Sequence, residues 1–199
     1  MSERFTDLVR RERSRLVARE AARELEENGC FHIRIEDIAR RSGIAKGTVY
    51  QDFGGKGSLL SSALSDACEQ LLQTIDARIG DLGSPEDRLR EGIYVLSESA
   101  VGPAELRVLI ERRLSCAVRW FGGDTAPYER LEQRLAELIE GSSHRPDRES
   151  SLTTAQALLA VASTPRAQRL AFEHGPRALA EWLLGVASAL TYQGSQPGK

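Results

Sequence analysis

Between Ile35 and Tyr50 the apolar residues are spaced for two short helices, with a single glycine at the joint. Ile35, Ile38, Ala39 and Ser42 recur at i, i+3, i+4 and i+7, and Gly43 then ends the pattern. A second run, Lys46 to Asp52, sets Val49 and Phe53 four apart on an inward side. Gly43 suits the left-handed residue that closes a helix, and Ile44 plugs the core beneath the turn. Two helices of about two turns around a tight glycine turn make a helix-turn-helix. The second helix then presents Gly47 and Thr48 at its exposed start. Side chains that small let backbone approach base edges in a groove about 12 Å wide. Tyr50 and Lys56 are placed to reach phosphates on either side of that groove, or else they are half-buried packing and an ordinary surface lysine.

Helical periodicity continues through the rest of the chain, and no run alternates as a strand would. A first helix is expected from about Arg13 to Glu27, striped by Val17, Ala18, Ala21 and Leu25 and stopped by Gly29. A long fourth helix follows Gly54-Gly55-Lys56-Gly57, a loosely specified start, with Leu60, Ala63, Leu64, Ala67, Leu71 and Ile75 along one side. Ser84-Pro85-Glu86-Asp87 reads as a capped start to a fifth, which reaches about Val101. Gly102-Pro103 separates it from a sixth running to Phe121, and Gly122-Gly123-Asp124 turns into a seventh that buries Tyr128, Leu131, Leu135, Leu138 and Ile139. After a polar linker (141–149) come helices near 150–163, 165–174 and 177–192.

Arginine outnumbers lysine 24 to 3 among the 27 basic residues, so Lys46 and Lys56, ten residues apart, stand out. Residues 1–56 carry a small positive balance within a chain whose net charge is −2, which suits a head that meets a polyanion. Arg10, Arg11, Arg13 and Arg15 form either a solvated helix face or an arm along phosphates. No apolar run approaches the roughly 20 residues of a membrane span, and the start reads as no signal peptide. A cytoplasmic protein is expected. Cys30, Cys68 and Cys116 make no CxxC pair, and His32, His144 and His174 are isolated. Neither a metal site, a cofactor nor an enzyme is expected on that basis.

Residues 16–64 resemble the DNA-binding domain of TetR-type transcriptional regulators. Ile38-Ala39, Gly43, Thr48-Val49-Tyr50, Phe53, Lys56 and Leu59-Leu60 fall at that family's spacing. The resemblance implies an all-α homodimer that binds double-stranded operator DNA and releases it when a small-molecule inducer occupies the C-terminal domain. The expected division is residues 1–56 as the three-helix DNA-binding domain and 57–199 as a larger helical ligand-binding and dimerisation domain. Lys46, Gly47, Thr48, Tyr50, Gln51 and Lys56 are its candidate DNA-binding residues. Asp52 departs from the family's usual residue there; it is either repelled by DNA or caps the fourth helix.

In the second half, Leu152, Ala155, Leu159 and Ala162, and then Leu179, Leu183, Val186 and Leu190, form two narrow seams. They predict either a four-helix interface across a two-fold axis or simple packing within the chain. On an unbroken sixth helix, Arg113 falls in the middle of an apolar arc of Leu106, Leu109, Ile110, Leu114, Ala117, Trp120 and Phe121. A guanidinium there must pair, with Glu98 or Glu137, snorkel to solvent, or bind an anion. The last option makes Tyr94, Ser97, Arg113, Cys116 and Trp120 the candidate ligand-binding residues. The leading expectation is a ligand-responsive regulator, a repressor. A helical carrier or enzyme that retains a structural helix-turn-helix, or a helical-bundle adaptor, is the alternative.

Overall fold

The computed structural model describes residues 2–29, 32–111, 113–142 and 147–193. The chain runs through α1 (Ser2–Asn28), α2 (Ile35–Ser42), α3 (Lys46–Phe53), α4 (Lys56–Ile79), α5 (Pro85–Ser99), α6 (Ala104–Ile110), α7 (Arg113–Trp120), α8 (Ala126–Glu140), α9 (Arg148–Ala162), α10 (Pro165–His174) and α11 (Pro176–Gln193). Among the described residues there is no strand.

The expected start and stop signals act locally. Ser84 Oγ accepts from the Asp87 amide ahead of α5, Asp147 accepts from the Ser150 amide ahead of α9, and Thr164 accepts from the Ala167 amide ahead of α10. Pro85 and Pro165 occupy first-turn positions where a missing N–H costs nothing.

Two expectations change. α1 begins at Ser2 rather than near Arg13, because no glycine or proline interrupts the chain before Gly29. The expected sixth helix is two helices. Its first part closes at Glu111, whose N–H binds Arg107 O at 2.8 Å while its ψ turns to 0°. A wheel drawn through 104–121 therefore spans two helices rather than one. The side chain of Arg113, with those of Arg10 and Arg11, lies outside the described residues.

α1, α2 and α3 close on Val17, Ala21, Leu25, Ile38 and Val49. α4 is the spine: Leu60 and Leu64 meet that head, while Leu71 and Ile75 meet the helices beyond it. A bidentate pair also ties the two parts, Arg107 of α6 donating to both carboxylate oxygens of Glu26 on α1 at 2.7 and 2.9 Å.

Beyond α4, α5 packs on α11, and α9 packs on both α8 and α11. Ala155, Leu159 and Ala162 of α9, and Leu179 and Leu183 of α11, are buried within this single chain. These five seam residues are thus intrachain packing, whereas Leu152 and Val186 are half-buried and Leu190 is exposed.

Candidate nucleic-acid interface

The turn between α2 and α3 is closed by the left-handed Gly43 (φ 67°), whose neighbour Ile44 donates to Ala39 O at 3.0 Å. This six-to-one hydrogen bond, with Ile44 packed on the core, fixes the angle at which α3 leaves α2. An ion pair locks the base of the unit: Arg41 of α2 lies 2.5 Å from Glu27 and 3.3 Å from Glu24 on α1. Glu24 is only 2% exposed and also accepts from Asn28 Nδ2 at 2.8 Å.

α3 opens with Ala45, which offers no side-chain cap. Lys46, Gly47, Tyr50 and Gln51 are exposed on one side of it, and Thr48 is half-buried at the edge. A methyl group built on Gly47 would meet nothing within 4 Å. Nothing inside the protein therefore requires a glycine there, and the surface beside it is open to what approaches from outside. Tyr50 is 41% exposed, and Lys46 Nζ lies 5.7 Å from its ring centroid. The same ammonium contacts Glu36 of α2, which holds the lysine pKa above its usual value and the Glu36 carboxyl below its own.

Lys56, the first residue of α4, is set apart from this face. Its Nζ sits over the Phe121 ring at 4.5 Å, at the far end of α7. Of the glycines around it, expected to be loose, Gly54 and Gly55 have open space but Gly57 is tight. A Cβ on Gly57 would come 2.5 Å from Phe121 O, and one on Gly123 would come 2.4 Å from Ser61 Oγ and 2.8 Å from Gly57 O. Ser61 Oγ in turn accepts from the Asp124 amide at 2.8 Å. Here the start of α4 and the turn after α7 touch backbone to backbone, which only residues without a Cβ permit. The sequence signal was present in Gly57 and Gly122-Gly123, but it read as freedom rather than contact.

Arg13 and Asp52 also correct the sequence reading. Arg13 is 3.5 Å from Asp52 in the last turn of α3, so α1 braces the recognition helix. Asp52 thereby has a cationic neighbour, and Arg15 pairs with Glu12 at 2.9 Å.

The candidate ligand residues do not converge. Ser97 is buried and spends its hydroxyl on Ile93 O of its own helix at 2.8 Å. Cys116 is exposed, and Trp120 is 65% exposed. Tyr94 is half-buried in a groove of about 450 Å³ with Arg90 and Arg177, a groove whose walls include none of the other three.

The family of bacterial regulatory proteins known as tetR matches residues 18–63. The chain carries a TetR-family domain. Solved structures resemble the chain along most of its length. A tetR-family regulator from Shewanella sp. PV-4 matches with a TM-score of 0.68 at 16% identity, covering 91% of this chain and 96% of that one. FadR from Bacillus subtilis, in complex with stearoyl-CoA, matches with a TM-score of 0.60 at 17% identity, over 88% and 96% of the two chains. AibR, in complex with isovaleryl coenzyme A and operator DNA, matches with a TM-score of 0.62 at 16% identity, over 87% and 96%. No curated protein matches by sequence comparison. No described helix is long and apolar enough to cross a membrane.

Proposed function

We propose that this TetR-type protein is a transcriptional regulator that binds operator DNA through α3 and is released by a small molecule, acting as a repressor. The observation that carries the reading is the exposed side of α3, where Gly47 is small without any internal reason. Gly47 and Thr48 lie at base edges. Lys46, Tyr50 and Gln51 flank them, and Lys56 contacts phosphate from the start of α4. Lys46 leaves Glu36 to do so, and that exchange of one anion for another costs little at an exposed site.

Two heads are required to span half-sites one helical turn apart. We place the two-fold interface on the outward side of α11 and α9, where Gly185 and Ala189 are exposed and Trp182, Val186, Ala157 and Ala160 are half-buried. Small residues allow close approach of helices there. A ligand acts by favouring a head spacing that mismatches the operator. The backbone contact between Gly57 and Phe121 carries a displacement of α7 straight into α4 and the head. The likeness to AibR, solved with an acyl-coenzyme A and operator DNA, supports a coupling of this kind.

Fluorescence anisotropy with the duplex upstream of the chain's own coding region tests the proposal. Sequence-preferring binding by the dimer is the expected result. Binding no tighter than to scrambled duplex would overturn it.

A further inference from the structure

Two adjoining cavities at the end of the molecule away from α3 have complementary walls. The first is the groove of about 450 Å³ between α5 and α11, bordered by Arg78, Arg90, Tyr94 and Arg177. The second, about 160 Å³, runs between α5, α8 and α11 and is lined mainly by Leu89, Ile139, Leu184 and Ala187. Arg90 and Leu184 border both, so the two adjoin along a shared wall.

The arginines are not equivalent. Arg78 is committed to Glu91 at 2.6 Å and to Glu98, with its guanidinium 5.3 Å from the Tyr94 ring centroid. Its single charge is shared between those two carboxylates. Arg90 and Arg177 have no ion-pair or hydrogen-bond partner among the described residues, and Glu181 is the remaining carboxylate on the groove wall. Two uncommitted guanidiniums, with Glu181 on the groove wall and Glu86 on the wall of the second cavity, offer an anion paired donors, because arginine stays charged and binds carboxylate or phosphate through two donors.

We propose that these cavities together form the effector site: a carboxylate or phosphate head binds Arg90 and Arg177, and a short alkyl chain enters the crevice past Leu184. This rests on the ligand-responsive reading above and assigns the class of ligand. The combined space falls within the usual range for small-molecule sites, and the crevice has room for about five groups the size of a methylene or a water. Chains of about six carbons should therefore fit, each added methylene tightening binding about fourfold until the crevice is full. Because α11 also carries the interface proposed for the dimer, occupation of its inner side can alter how the two heads are spaced.

Calorimetric titration of the full chain without DNA tests the site, with hexanoate, hexyl phosphate and 1-hexanol as probes. At least one anionic probe should bind ten or more times more tightly than hexanol. Whichever of the two it is names the head. Arg90→Gln and Arg177→Gln should each weaken that probe about tenfold, and Leu184→Trp should shorten the longest chain accepted. Equal affinity for hexanol, unchanged affinity in both arginine variants, or no binding at millimolar probe would each overturn the assignment. The readout contains no DNA, so a protein that binds the probes but no operator would keep this site and refute only the regulator reading.

Discussion

Gly57→Ala offers a sharp quantitative test of the contact between the head and the body, because Gly47→Ala is a matched control. Both glycines are the second residue of their helices, α4 and α3. Each exchange to alanine gains at most about 1 kcal/mol from helix propensity and reduced freedom of the unfolded chain. The surroundings differ. The new methyl of Gly47→Ala meets nothing within 4 Å, whereas that of Gly57→Ala lies 2.5 Å from the backbone oxygen of Phe121. That separation is roughly 0.9 Å short of ordinary contact, and a backbone oxygen cannot rotate aside as a side chain would. Forcing the methyl in costs about 1–3 kcal/mol. The two melting temperatures should therefore separate by roughly 2–12 °C, with Gly47→Ala at or above wild type and Gly57→Ala below it. Gly47→Ala should nonetheless bind operator less well, since its methyl stands where base edges approach. Circular-dichroism melts and anisotropy on the same preparations read both quantities. A Gly57→Ala protein that melts as high as Gly47→Ala would refute the backbone contact.

Arg41→Met should lower the melting temperature clearly, because it strands Glu24 in the base of the head, whereas Arg40→Met removes only an exposed pair and should move it less. Val186→Arg or Gly185→Arg should give folded monomers by sedimentation, whereas Leu183→Arg, altering a fully buried residue, should lose helix as well. Asp66 has an oxygen buried without a hydrogen-bond partner, and burial raises its pKa above the usual 3.8. Its native state thus binds a proton more readily than its unfolded state, so its ionisation destabilises the fold as pH rises. Asp66→Asn should accordingly melt higher at neutral pH, with a gain that shrinks as pH falls toward 4.

The helix-turn-helix was legible because each of its signals is local. Gly43 at the turn, the four-residue spacing of Val49 and Phe53, and the cap at Ser84 act within a few residues of themselves, and the structure keeps them. The break at Glu111 was not legible, since no glycine or proline marks it and apolar residues recur across it at near-helical spacing. The sites where distant segments meet were hidden for the same reason. Asp52 looked like a misplaced acid until Arg13 of α1 lay beside it, and Gly57 looked loose until Phe121 and Gly123 closed on it. Leu159 and Leu183 share a periodicity that suits a dimer seam and an intrachain core equally, and the packing of α11 on α5 and α9 decides for the core.

Whether the exposed side of α3, with Lys56, binds duplex DNA is decided by a salt titration of the affinity for the upstream duplex, with wild type, Tyr50→Phe and Lys56→Met. Log K should fall linearly with log salt concentration. Tyr50→Phe should lose affinity for all duplexes alike, and Lys56→Met should do so with a slope shallower by about 0.9, the share of one phosphate contact. A folded dimer whose affinity and slope are the same in all three proteins would contradict binding through this face.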